Sequence, residues 1–99
     1  MDILKRLKEL KEEYKKDGFI IDGVFGSFAR GEKNFNDIDL LYHVEKKFIE
    51  KYRGFIVFKR LEEIKRALSN ELGKEVDLAP INNLSKTAKK YIFKELKGI

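Results

Sequence analysis

Cysteine is absent from the 99 residues, proline occurs once, and the only histidine is His43. Without cysteine there is no disulfide framework and no Cys-ligated zinc or iron–sulfur site, and the chain suits a reducing cytoplasm. No apolar run approaches the ~18 residues that a membrane span requires. The opening Met1-Asp2-Ile3-Leu4-Lys5 has neither the order nor the length of a signal peptide. Internal repeats, low-complexity segments and linkers are missing as well. Eight Phe and four Tyr, with many Ile, Leu and Val, can close a core, which argues against disorder. A chain of this length is expected to form one domain spanning residues 1–99, burying roughly two-thirds of its unfolded surface. The expectation is a small, soluble, cytoplasmic domain.

Charge is unevenly placed along it. Residues 1–50 carry ten Lys and Arg against eleven Asp and Glu, so the surplus of +5 comes from the second half. The last sixteen residues hold five Lys against a single acid, Glu95. Such a segment reads as a solvated face or a docking surface for an acidic partner or nucleic acid, set apart from the acidic residues of the first half.

Hydrophobic spacing gives the elements. Ile3, Leu7, Leu10 and Tyr14 recur at helical period and predict a helix over about Asp2–Lys16, ended by Gly18. Phe19–Phe25 reads as a strand interrupted at Asp22-Gly23. Ser27–Gly31 reads as a tight turn into a short helix with Ser27 as its N-cap. Asp37–Val44 is a second strand, whereas Glu45–Gly54 gives no clear pattern. Val57, Leu61, Ile64, Leu68 and Leu72 mark a helix closed by Gly73. Val76–Pro80 is a third strand, and Leu84–Lys97 a last helix packed through Leu84, Ala88, Tyr91 or Ile92, and Leu96. The order α-β-(turn/α)-β-α-β-α describes a small α/β (α+β) fold, a mixed β-sheet flanked by helices.

The chemistry concentrates in Asn36-Asp37-Ile38-Asp39-Leu40. On a strand Asp37 and Asp39 project to one face while Ile38 and Leu40 enter the core. Two carboxylates side by side repel unless something positive lies between them. A hard divalent ion such as Mg²⁺, which prefers oxygen ligands, answers that need. Asp77 in Glu75-Val76-Asp77-Leu78-Ala79 is a third acid among strand-forming residues. If the third strand lies beside the second, Asp77 completes a cluster suited to two ions about 3.5–4 Å apart. Two surface aspartates on a half-exposed strand are the bland alternative. A calcium loop is excluded because Leu41 and Tyr42 stand where an acid and a glycine are needed.

Phe25-Gly26-Ser27-Phe28-Ala29-Arg30-Gly31 lies just upstream. A glycine at a strand end allows close backbone approach to a ligand, and the serine offers a hydroxyl suited to phosphate oxygens. Gly26 and Gly31 have P-loop spacing, but Glu32 stands where that motif needs lysine. Arg30 could reach a phosphate or brace the turn through Glu32 or Asp22, and Lys33 has weaker claims of the same kind. His43 could serve catalysis or simply be a polar strand end.

Taken together, Gly26-Ser27, nine intervening residues, Asp37-Ile38-Asp39 and a later strand bearing Asp77 resemble the DNA polymerase β-like nucleotidyltransferase superfamily. Within it, Gly26-Ser27-Phe28-Ala29-Arg30-Gly31 and Asp37-Ile38-Asp39-Leu40 are most similar to the minimal nucleotidyltransferases (MNT). Asn36 departs from the serine common before the first aspartate. The resemblance implies the polymerase β-like palm fold, with triphosphate held at Gly26 and Ser27. It implies Mg²⁺, as two ions, and nucleotide bound at Asp37 and Asp39, with Asp77 completing the second metal position and helping to activate the acceptor hydroxyl. The implied reaction transfers a nucleoside monophosphate, AMP from ATP, with release of pyrophosphate. MNT proteins often pair with a helical HEPN protein, some as the antitoxin of a toxin–antitoxin system, and there the acceptor would be a partner hydroxyl. A non-catalytic binding subunit is the alternative. A nucleic-acid polymerase is a third reading, motivated by Lys86, Lys90, Lys94 and Lys97 but lacking interleaved stacking aromatics.

Overall fold

The computed structural model describes residues 2–99. Helix α1 (Ile3–Lys15) is capped by Asp2, whose side chain accepts from the Lys5 N–H at 3.2 Å. It leads into strand β1 (Phe19–Phe25), the short helix α2 (Gly26–Ala29) and strand β2 (Asp37–Val44). Then come α3 (Lys46–Lys51), the long α4 (Ile56–Leu72), strand β3 (Glu75–Pro80), a 3₁₀ turn at Ile81–Asn83 and α5 (Lys86–Glu95).

The sheet has the order β1-β2-β3, with β1 antiparallel and β3 parallel to the central β2. The parallel pair needs a crossover, which α3 and α4 supply. Alternation along the strands gives the sheet two unlike faces. Phe19, Ile21, Val24, Ile38, Leu40 and Val76 are buried on one face, under α1 and α4 through Leu7, Leu10, Ile64, Leu68 and Leu72. Phe19 stacks on Tyr42 there, with ring centroids 4.9 Å apart. The opposite face carries Asp37, Asp39, Leu41 and His43 of β2.

Three differences from the sequence reading have clear physical causes. Residues 45–54, which showed no pattern, contain α3, a two-turn helix anchored by one buried residue, Phe48. Six residues are too few to display a helical period. Ser27 is not an N-cap: Gly26 turns the chain at once (φ +76°), and helical bonding begins there, with Arg30 N–H donating to Gly26 C=O at 3.0 Å. The last helix is shorter than Leu84–Lys97. Ser85 caps it by accepting from the Ala88 N–H at 3.1 Å, and it stops at Glu95 because Lys97 joins β1 instead, exchanging two 2.9 Å backbone hydrogen bonds with Val24. That strand-like segment closes tightly over Gly23, where any Cβ would meet the Lys97 carbonyl oxygen at 2.6 Å. Of the two residues left as alternatives within α5, Ile92 is the partly buried one; Tyr91 is 68% exposed.

The interruption at Asp22-Gly23 is real. Register slips between Ile21 and Gly23, so Asp22 is an extra residue in β1. Its carboxylate sits 2.8 Å from His43 Nδ1.

Candidate active site

Strand period and register assemble the acidic residues. Ile38 and Leu40 are fully buried, which pins β2 and turns Asp37 and Asp39 outward together. In the parallel pair Asp39 lies directly across from Asp77, and Asp37 across from Glu75. Neighbouring strands are about 4.8 Å apart, so Asp39 and Asp77 face one another at close range. Glu75 is a fourth acid at the exposed end of this row, which the sequence reading did not single out. The consequence appears in Asp39, whose carboxyl is raised above the usual aspartate range. Burial is the first cause, followed by the charges of Asp77 and Asp37, with Arg30 opposing them.

The glycine–serine turn closes over the same residue. A Cβ on Gly26 would collide with Asp39 Oδ2, and the φ of +76° is one that L side chains rarely adopt. Only glycine lets the β1–α2 corner lie against the carboxylate. Phe28 and Phe35 pack edge-to-face, centroids 5.0 Å apart, and tie this turn to the segment leading into β2. The Gly26-Ser27 corner and the Asp37/Asp39 pair are therefore parts of one place in the fold.

Arg30 is braced as one of the two alternatives held, through Glu32 at 2.7 Å, with Glu95 at 2.8 Å in place of Asp22. Glu95 also accepts from the Gly26 N–H at 3.3 Å. Hence α5 lies beside the glycine–serine turn, and the lysine-rich segment is not set apart from the acidic site as its sequence position suggested. Lys94 and Lys97 line an open groove of about 650 Å³ with Arg30, Glu95 and Tyr91. The only sequence signal for Glu95 was its isolation among five lysines. Lys65 of α4 was also missed; its ammonium reaches round the sheet edge to 3.8 Å from Asp77 Oδ1. Beside that pair an open groove of about 330 Å³ is lined by Tyr42, Phe58, Leu61, Lys65, Asp77 and Leu78. His43 stands four residues from Asp39, about 13 Å along the strand, and is engaged by Asp22. Lys33 is exposed.

The sequence pattern of the nucleotidyltransferase domain family matches residues 3–99. The chain belongs to the nucleotidyltransferase domain family. Among solved structures, this nucleotidyltransferase domain is similar over its whole length to one described as "Structure of putative minimal nucleotidyltransferase", at 28% identity and a TM-score of 0.67, covering 97% of that chain. The two chains are nearly equal in extent. A second, "Crystal structure of the toxin-antitoxin with AMP-PNP", shares the fold at 19% identity and a TM-score of 0.66, with 99% of this chain and 72% of that one covered. Among curated proteins nothing matches.

The donor set accords with a hard divalent cation. Among the described residues no three His, Cys, Asp or Glu side chains form a ready cage for a metal ion. Mg²⁺ does not ask for one: it takes one or two carboxylates, keeps several waters, and completes its shell with substrate phosphate oxygens. A carboxylate pair held in mutual repulsion by strand register, as Asp39 and Asp77 are, fits that requirement.

Proposed function

We propose that this nucleotidyltransferase domain transfers AMP from ATP to a hydroxyl on a partner protein, and acts as the antitoxin side of a pair with a HEPN-type helical protein. The observation that carries the reading is the placement of Asp39 opposite Asp77 with Gly26 closed against it. The likeness to a fold neighbour described as a toxin–antitoxin with AMP-PNP supports an adenine nucleotide and a toxin–antitoxin setting.

In this reading Asp37, Asp39 and Asp77 would hold Mg²⁺, as two ions, together with the nucleotide. Bound there, Mg²⁺ would offset the charge of the triphosphate and favour ionisation of the acceptor hydroxyl. The Gly26 N–H and the Ser27 hydroxyl donate to phosphate oxygens, and Arg30 adds charge-assisted hydrogen bonds. Together they hold the α-phosphorus in line with the incoming oxygen. Asp77 borders the groove that Phe58 and Leu61 also line, and through it the acceptor approaches. Asp77 orients the acceptor hydroxyl and helps remove its proton as the new O–P bond forms. The bond between the α-phosphorus and its bridging oxygen breaks, and pyrophosphate leaves.

The test is incubation of the domain with α-labelled ATP, Mg²⁺ and the protein encoded beside it. Label should appear on that protein with the wild type and not with Asp39→Asn. Absence of transfer by the wild type, or equal transfer by Asp39→Asn, would refute the reading.

A further inference from the structure

Glu95 is the one acid in a segment of five lysines, and its carboxylate points into the glycine–serine turn. One oxygen accepts from Arg30 Nη1 at 2.8 Å and the other from the Gly26 N–H at 3.3 Å. A carboxylate that takes one guanidinium N–H and one backbone N–H makes the same demand on those donors as a phosphate group would. They are the donors that the function proposed above gives to the triphosphate. A backbone N–H has a single hydrogen, so Glu95 and a phosphate oxygen compete for it. The negative charges of the two repel as well.

We infer that Glu95 is an internal stand-in for a nucleotide phosphate, holding the Gly26 N–H and the Arg30 guanidinium until the incoming nucleotide expels it. This rests on the nucleotidyl-transfer reading of the site. Two features make the exchange workable. No residue of α5 is buried, so the helix that carries Glu95 is lightly held. Arg30 also keeps its Nε bond to Glu32 at 2.7 Å, so losing Glu95 frees Nη1 while the guanidinium stays aligned. Glu95 thus weakens nucleotide binding, and a brace that merely positioned Arg30 would strengthen it. The two roles predict opposite signs.

The experiment measures binding of α,β-methylene-ATP with Mg²⁺ to the wild type, Glu95→Gln and Glu95→Ala by titration calorimetry, with thermal melts alongside. Glu95→Ala should tighten binding about tenfold, the scale of one charge-assisted hydrogen bond, and Glu95→Gln by a smaller factor because its amide oxygen still accepts. Unchanged or weaker binding by both variants with intact melts overturns the inference and leaves the function standing. No binding by the wild type or either variant overturns both. A second measurement needs no variant: the Glu95 carboxyl carbon resonance should move to that of a free carboxylate as the nucleotide saturates the wild type. A resonance that stays in place while binding is observed overturns the inference.

Discussion

Asp17 and Asp39 are both partly buried aspartates, and the fold treats them in opposite ways. Asp17, at the link between α1 and β1, accepts from Tyr52 Oη at 2.8 Å, Lys51 Nζ at 2.9 Å and Arg60 Nη2 at 3.2 Å. Burial alone would raise its carboxyl, but Lys51, Tyr52 and Arg60 together hold it below the ordinary range. Asp39 has no such company: burial, Asp77 and Asp37 drive it up, against Arg30. At Asp17 charge is neutralised to join α1 to α3 and α4. At Asp39 like charges are kept together by strand register, an arrangement that costs stability unless a cation arrives. Scaffold and site are thus distinguished by whether the fold itself answers the charge.

Asp39 and Asp17 should respond to substitution in opposite ways. Asp39→Asn should lower nucleotidyl transfer by about 10²-fold or more, a loss typical of removing a main electrostatic contact, while the thermal midpoint holds or rises because repulsion is relieved. A clear fall in that midpoint would show that Asp39 supports the fold as Asp17 does. Asp17→Ala should do the reverse. It leaves Tyr52 and the part-buried Arg60 without their acceptor, which costs about 2 kcal/mol, or roughly 8–16 °C in the melting temperature of a domain this size. Transfer per folded molecule should stay near wild type.

The acid limb sharpens the same contrast. Because Asp17 is held below its unfolded value of about 3.9, its stabilisation is complete above that pH and is lost as pH falls through the folded value. Chemical denaturation of the wild type and Asp17→Asn should therefore differ most near pH 6–7 and converge towards pH 2. Gly26→Ala forces a side chain into a left-handed backbone and against Asp39, so about 1–2 kcal/mol of stability should go, together with much of the nucleotide affinity. The smallest effect is expected at Lys65. Its half-exposed pairing with Asp77 at 3.8 Å is worth under about 0.5 kcal/mol, which denaturation of Lys65→Ala would show.

Much of this was legible in sequence because β2 alternates buried and outward residues from Asp37 to Leu40. Ile38 and Leu40 against Asp37 and Asp39 identified β2 and its outward face. The third strand was readable from Val76 and Leu78 around Asp77, and Gly26-Ser27 from its distance to Asp37. Elements without a period were not readable. Of the six residues of α3 Phe48 alone is buried, and the end of α5 is set by a backbone bridge between Lys97 and Val24, 73 positions apart. Glu95 was equally hidden, since nothing local connects it to Gly26.

Local sequence alone marked out the groups to which we assign the nucleotide and the cation: Gly26, Ser27, Asp37, Asp39 and Asp77, each by its residue type and by the apolar residues beside it. Tertiary structure decided which of those groups meet and what opposes them. Parallel pairing of β2 with β3 set Asp39 across from Asp77, and the return of the chain after α5 brought Glu95 onto the Gly26 N–H and Arg30. The reason is one of range. Side-chain period acts over a few residues and is written locally, whereas charge acts through space, between groups that only the folded chain makes neighbours.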